Sequence, residues 1–378
     1  MSVIFVLSLF LIFYAYAGYP LVLFLISLLK KDTVQRKEIE PMLTFLICAY
    51  NEEKSIRTKL ENALSLDYPK DKLEIIVASD ASSDATDKIV QEFQDRGVKL
   101  LRVEGRVGKT EVQNQAVKAA KGDIIVFSDA TTTYDRAAIR KIVRNYADPR
   151  VGAVSGRYRY LDPNRTQIGT GTIAFWDYEN FIKAKQTQVK TVTGCCGCIY
   201  SVRKDLYVPL PPDIISDLVE PLKILEKGAK IVFEPEALAY ETTCEKSEEE
   251  FKMRVRVISR GMGGVLYVKH LLNPFRYGYV SFQLLSHKVL RWMIPVLLII
   301  LYISNAFLIG KNTWYFVLFW LQSLFYFSAI VARLCELAGI KRRLLSFPLY
   351  FCVVNGASLI ALFRTLLRKR DVTWKTVR

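Results

Sequence analysis

The chain has 378 residues, 51% of them hydrophobic and 24% charged, with a formal net charge of +16. That length accommodates one good-sized soluble domain plus several membrane spans. Only two histidines occur, and no second Cys/His cluster stands beside Cys195, Cys196 and Cys198. This argues against a zinc site and leaves the seven cysteines as reduced, packed thiols.

Residues 3–29 carry no charge, which is enough to cross a bilayer with some tilt. No basic residue precedes this run, whereas Lys30, Lys31, Arg36 and Lys37 follow it. A retained anchor is therefore expected rather than a cleaved signal, with the N-terminus outside and the following domain in the cytoplasm. The basic residues cluster beside apolar runs, at Lys30/Lys31, Lys341-Arg342-Arg343 and from Arg364 to Arg378. The positive charge accordingly reads as attraction to anionic lipid headgroups rather than to nucleic acid.

From Leu43 onward apolar strands alternate with amphipathic helices. Strands are expected at Leu43–Cys48, Leu73–Ser79, Val98–Val103 and Asp123–Ser128, and helices at about 53–65, 84–96, 110–121 and 135–147. Such alternation predicts a parallel sheet covered on both faces, with ligands bound at the carboxyl ends of the strands. Ala49-Tyr50-Asn51-Glu52 follows the first strand, Asp80 to Asp84 the second, and Asp129 to Thr132 the fourth. Acids often start turns or cap helices, but Asp80 and Asp129 together on one sheet edge favour a site. No Gly-x-Gly-x-x-Gly follows the first strand, which disfavours a dinucleotide site. Gly105 to Thr110 has too few residues between its glycines for a P-loop. Lys109 still opens a helix near the sheet edge, within reach of a phosphate.

Residues 262–288 mix glycine, aromatic and basic residues and read as helices lying at the membrane interface. Uncharged apolar runs follow at 293–310, 312–332 and 346–363. If the soluble domain is inside, the first two return the chain inside, where Lys341-Arg342-Arg343 fits. A full crossing by 346–363 would expel Arg364, Arg368, Lys369 and Arg370. Either that segment is re-entrant or interfacial, or the tail violates the charge rule. The expected layout is an anchor over 1–30, a soluble domain over 31–261, interfacial helices over 262–292, and membrane helices with a basic tail over 293–378.

In order along the chain stand Ala49-Tyr50-Asn51-Glu52; Ser79-Asp80-Ala81-Ser82-Ser83-Asp84; Gly108-Lys109 with Asn114; Ser128-Asp129-Ala130; Thr193-Gly194-Cys195-Cys196-Gly197; and Ile215-Ser216-Asp217. From about Leu43 to Trp292 the sequence resembles the membrane-bound family 2 glycosyltransferases, the branch of the cellulose, hyaluronan and poly-N-acetylglucosamine synthases. The resemblance implies an α/β GT-A (Rossmann-like) nucleotide-sugar domain inserted between transmembrane helices. It implies a multi-pass protein of the plasma membrane with a cytoplasmic catalytic domain. It implies inverting transfer of a sugar from a nucleotide-sugar donor, a UDP-sugar foremost, to a glycan or lipid-linked acceptor.

By the same resemblance, Asp129 matches the first acid of an Asp-x-Asp motif that holds Mg²⁺ or Mn²⁺ against the diphosphate; Thr131 replaces the second acid. Asp80 matches the acid that contacts the base, with Ala49, Tyr50, Asn51 and Glu52 lining the same pocket and Lys109 and Arg256 meeting the diphosphate. Asp217 matches the general base that takes the acceptor proton. Gly194, Cys195, Cys196 and Gly197 look like the small-residue turn that admits the acceptor, and Trp176 offers a ring to stack on a sugar, though such rings are as often core. Met253 and Val257 stand where processive relatives carry Gln and Trp, so only Arg256 of that motif matches. Arg260 serves the diphosphate, or Arg254 and Arg260 face lipid headgroups. Two alternatives follow: single-sugar addition to a lipid-linked acceptor, or a catalytically silent membrane scaffold.

Overall fold

The computed structural model describes residues 1–367. Arg368, Lys369 and Arg370 of the basic tail lie outside the described residues. An eight-stranded sheet forms the centre of the soluble domain, in the order β3-β2-β1-β4-β7-β6-β8-β5. Strands β1 (Leu43–Ala49), β2 (Leu73–Asp80), β3 (Val98–Val103) and β4 (Ile124–Asp129) are mutually parallel. β1, β2 and β4 are nearly continuous buried runs, as strands covered on both faces require, whereas the edge strand β3 exposes Lys99 and Arg102. Asp80 and Asp129 are the last residues of their strands rather than the first beyond them.

The sheet is mixed, not wholly parallel. Strand β7 (Ile199–Arg203) pairs antiparallel with both β4 and β6 (Val151–Leu161), while β8 (Lys230–Thr242) runs parallel to β6 and carries the short β5 (Thr133–Tyr134) at the edge. Alternating side chains send Phe45 and Ile47 to a core with Ile56, Leu60 and Ile139, and Leu46 and Cys48 to a second core with Val112, Ala116 and Tyr200. Each face thus buries an independent cluster, which is the chief source of the domain's stability.

α1 (Ser2–Leu29) is the first apolar run. α2 (Ile56–Leu64), α3 (Thr86–Gln91), α4 (Lys109–Ala119) and α5 (Ala138–Val143) cover the parallel half of the sheet. α6 (Gln167–Val189), α7 (Ser216–Glu226) and α8 (Ser247–Tyr267) lie toward the apolar helices α9 (Tyr279–Ala306), α10 (Thr313–Leu337) and α11 (Ser346–Leu366). Helix α9 begins at Tyr279, so much of the stretch expected to lie at the interface is the start of one 28-residue apolar helix. Its register shifts through a π stretch at Leu284–Val289, facing a similar stretch at Tyr14–Gly18 in α1; Tyr14 and Ser286 share a 2.9 Å hydrogen bond there.

Four helices are long and apolar enough to span a bilayer: Ser2–Leu29, Tyr279–Ala306, Thr313–Leu337 and Arg343–Leu366. They differ in surroundings. α10 exposes Trp314, Phe316, Trp320, Leu324 and Phe327. α11 instead runs along α8: Tyr350 bonds Arg254, Gly356 packs on Phe251, Ala361 on Ile258 and Met262, and Thr365 reaches Met262. A Cβ on Gly171 of α6 would lie 2.4 Å from Tyr350, so a side chain there would hold α11 off the domain.

Candidate active site

The turn after β1 and the loop after β2 are stitched together. Asn51 sits at φ 53°, its amide donates to Ser82 Oγ (3.1 Å), and its side-chain oxygen accepts from the Ser83 amide (2.8 Å). The Glu52 amide donates to Thr86 Oγ1 at 2.7 Å. Asp80 is fully buried; its carboxylate accepts from the amides of Val107 (2.8 Å) and Gly108 (3.1 Å). Gly108 provides the required positive φ of 91° and opens α4. Asp80 therefore fixes the loop that starts the Lys109 helix, and Arg106 from that loop lies 3.6 Å over the Tyr50 ring.

That geometry brings Lys109 onto Asp129. The ammonium bonds Asp129 Oδ1, and although burial opposes its charge, the Asp129 carboxylate holds the Lys109 pKa above the ordinary lysine value. Thr131, at the missing second acid, donates to Glu241 Oε1 at 2.7 Å, and the Tyr158 hydroxyl donates to the other Glu241 oxygen. Burial raises the pKa of Glu52, and Asp129 and Glu241 add to the effect, so three carboxylates share one electrostatic neighbourhood. Among the described residues no three His, Cys, Asp or Glu side chains converge as a metal cage. One direct carboxylate with polar oxygens beside it fits an ion held largely by water and a phosphate ligand, the manner of Mg²⁺ and Mn²⁺.

Asp217 lies in the first turn of α7, where its backbone oxygen accepts from the Cys195 amide at 2.8 Å. A Cβ on Gly197 would come within 2.7 Å of Asp217 Oδ2, so the small-residue turn packs directly on the carboxylate. Burial raises the Asp217 pKa; Lys109 and Arg260 pull it down and Asp129 pushes it up. A carboxylate so placed is a proton acceptor of enhanced basicity.

One cavity of about 460 Å³ joins these parts. Glu52, Lys109, Asp129, Trp176, Gly194, Cys195, Cys196, Gly197, Asp217 and Arg256 all line it. Ala49, Tyr50, Asn51 and Asp80 do not; they stand behind it and shape the adjoining loops. Trp176 meets Tyr158 edge-on and Tyr160 at a tilt and still lines the cavity, so it is both packed and accessible. The headgroup alternative for two arginines fails: Arg254 is buried against Glu250 (2.7 Å) and Tyr350, and Arg260 bonds the Ile214 carbonyl (3.3 Å) and lines the cavity. Sequence reasoning missed Glu241, which no motif flanks, and the membrane-side lining of Tyr16, Glu179, Lys183, His287, Lys288 and Arg291. The signal available for the last group was ionisable residues beside or within apolar helices.

Residues 44–208 match the model of glycosyl transferase family 2. The poly-beta-1,6-N-acetyl-D-glucosamine synthase of Staphylococcus aureus (strain COL) is 30% identical over 236 residues, covering 61% of this chain and 57% of that protein. The chain thus spans little more than half the length of the S. aureus relatives it matches. The Staphylococcus epidermidis synthase of the same name is 25% identical over 360 residues, 88% of this chain and 86% of that one. Among solved structures, a mannosyltransferase from Pyrobaculum calidifontis in complex with GDP-Man and Mn²⁺ superposes with a TM-score of 0.69 at 21% identity, over 97% of this chain and 99% of that one. That likeness establishes a common fold.

Proposed function

We propose, from the match of residues 44–208 to the glycosyl transferase family 2 model, that the protein transfers a sugar, with inversion, from a nucleoside diphosphate donor to an acceptor at the membrane. The observation that carries the reading is Asp217, packed under Gly197, in one cavity with the Lys109–Asp129 pair. The acceptor hydroxyl attacks the anomeric carbon and its proton passes to the Asp217 carboxylate. The bond to the diphosphate breaks on the opposite face, and its electron pair leaves with the nucleoside diphosphate. Lys109, Arg256 and Arg260 offset the charge that develops there. Asp129 would hold a Mg²⁺ or Mn²⁺ against the diphosphate, and such an ion supplies further neutralisation of the leaving group. The S. aureus and S. epidermidis relatives make N-acetylglucosamine polymers by name, which puts UDP-N-acetylglucosamine first among donors to try.

A lipid-linked acceptor receiving a single sugar is favoured over a growing polymer by Met253 and Val257 in place of the processive Gln and Trp. The proposed setting is a bilayer crossed by α1, α9 and α10, with the domain on the cytoplasmic side and α11 at the interface. Its support is the packing of α11 along α8 together with the side on which Lys341-Arg342-Arg343 falls. The test of activity is release of nucleoside diphosphate from a panel of sugar nucleotides, using protein in nanodiscs with Mg²⁺ or Mn²⁺. Turnover of one donor, abolished by chelation and by Asp217→Asn and Asp129→Ala, is expected. No turnover and no metal-dependent donor binding would favour the silent scaffold.

A further inference from the structure

The small-residue turn beside Asp217 carries two thiols whose chemistry sugar transfer does not call on. Cys196 and Cys198 flank Gly197, and their sulfurs lie 3.4 Å apart, in hydrogen-bond contact. They are 6% and 5% exposed, yet both line the cavity, so small solutes reach them through it. Among the described residues no group of three ligating side chains forms around them, which argues against a metal site. Two sulfurs in contact have another reaction open to them, oxidation to a disulfide. The pair is also unequal. The hydrogen bond from Cys198 holds the Cys196 pKa below the ordinary thiol value, against burial, whereas burial holds the Cys198 pKa well above it. Cys196 is therefore the attacking sulfur and Cys198 the resolving one.

The backbone around the pair is pinned. The Cys195 amide donates to the Asp217 carbonyl (2.8 Å) and the Cys196 amide to Ser155 Oγ (3.1 Å). The Ile199 amide closes a turn onto the Cys196 carbonyl (3.0 Å), and the Tyr134 hydroxyl donates to the Cys198 carbonyl (2.8 Å). Joining the sulfurs draws them together by about 1 Å or more. With both ends held, the adjustment falls on Gly197 between them, the residue packed on the Asp217 carboxylate. A shift of about 1 Å at a catalytic group costs roughly 100-fold in rate.

We propose that Cys196 and Cys198 form a reversible oxidation site, closed to a disulfide by a peroxide, which disengages Gly197 from Asp217 and shuts off transfer. The Cys196 thiolate attacks one peroxide oxygen, and the O–O bond breaks to leave a sulfenic acid and hydroxide, which takes up the proton that Cys196 released. The Cys198 sulfur then attacks the Cys196 sulfur, the S–O bond breaks, and the hydroxyl leaves as water with the Cys198 proton. Two thiols thereby give up two electrons, and hydrogen peroxide is reduced to two waters. On the cytoplasmic side proposed for this domain, disulfides are otherwise rare and chiefly redox-sensing. The loss of transfer rests on the transferase reading above; formation of the bond does not.

The reduced full chain in nanodiscs should be treated with hydrogen peroxide, alkylated with iodoacetamide and digested with trypsin. The fragment 191–203 contains Cys195, Cys196 and Cys198 and no other cysteine. After peroxide it should carry one alkyl group, on Cys195, and lack the two thiol hydrogens of the other pair. Dithiothreitol before alkylation should restore three alkyl groups. Release of nucleoside diphosphate should fall at least about tenfold on oxidation and recover on reduction. Cys198→Ser should prevent the bond, and Cys195→Ser should still form it; the fragment from the unaltered chain decides the matter if either variant misfolds. Three alkyl groups after peroxide, or a bond that includes Cys195, would overturn the site. A bond without loss of release, or a loss that dithiothreitol does not reverse, would overturn the switch. A reduced protein that releases no nucleoside diphosphate counts against the transferase reading, while the mass of the fragment still decides the bond.

Discussion

At the scale of single residues, the site depends on one missing methyl group. Gly197→Ala would put a Cβ 2.7 Å from Asp217 Oδ2, well inside contact distance, so the carboxylate must move. Gly197 is not in the positive-φ region, so the backbone itself tolerates alanine. The expected result is a loss of about 100-fold in kcat with near-normal thermal unfolding, since displacing a catalytic group by about 1 Å costs roughly that much. Steady-state kinetics beside a melting curve will check it. A second consequence concerns pH. Burial raises the Asp217 pKa and Lys109 holds the rise in check. If Asp217 is the proposed base, it acts only when ionised, so kcat/KM should fall as pH drops through a value above the usual aspartate figure of about 3.9. Removing the opposing charge in Lys109→Gln should move that acid limb to still higher pH, besides lowering the rate. An unmoved limb in the pH–rate profile would mean another group titrates.

At the scale of elements, the parallel strands were legible because each is a short, mostly apolar run bounded by polar turns, and two of them end in an acid, a pattern local to the chain. Strands β6, β7 and β8 were not, since their pairing joins segments far apart in sequence and includes an antiparallel insertion. For the same reason Glu241, brought to Thr131 by the edge of β8, escaped notice while Asp129 and Asp217 did not. Asp80 shows the opposite limit: its position at a strand end was readable, but its two bonds to the Val107 and Gly108 amides were not. Contacts between helices pose a comparable problem. Arg254 and Glu250, one turn apart on α8, are both buried, and Arg254 also bonds Tyr350 of α11. Glu250→Ala leaves a buried guanidinium without its carboxylate, which costs on the order of 3–5 kcal/mol. Thermal unfolding in detergent should show a large fall in Tm. Restoring apolar packing with Glu250→Leu/Arg254→Met should recover most of it, because that pair leaves no uncompensated charge.

At the scale of the whole molecule, the arrangement of helices bears on a conflict that charge counting leaves open. The N-terminal end of α8 is tied to the end of α10 where Ser247 bonds Glu336 at 2.6 Å, and the same end of the chain meets the soluble domain where Lys341 bonds the Asn164 carbonyl. The other end of α8 packs Val265 and Val268 into a cluster with Leu210, Ile214 and Val219 of that domain. Both ends of α8 therefore lie on the domain, and the helix runs along its surface. α11 follows it from Tyr350 near Arg254 to Thr365 near Met262, so both ends of α11 also lie on the domain. On the proposed layout a helix in that position does not carry the chain to the opposite face, despite having the length to do so. With three crossings and the soluble domain inside, Lys30/Lys31, Lys341-Arg342-Arg343 and Arg364 would all fall on the cytoplasmic side, as the positive-inside rule requires. An epitope tag after Arg378 should consequently be digested by protease in inside-out vesicles and protected in sealed right-side-out ones. Lys311, between α9 and α10, should behave in the reverse sense when replaced by cysteine in a background without the native thiols and labelled with an impermeant maleimide. A tag accessible only from outside would make α11 a fourth crossing. The part of the cavity lined by α1, α9 and α11 would then open toward the middle of the bilayer rather than near the headgroups.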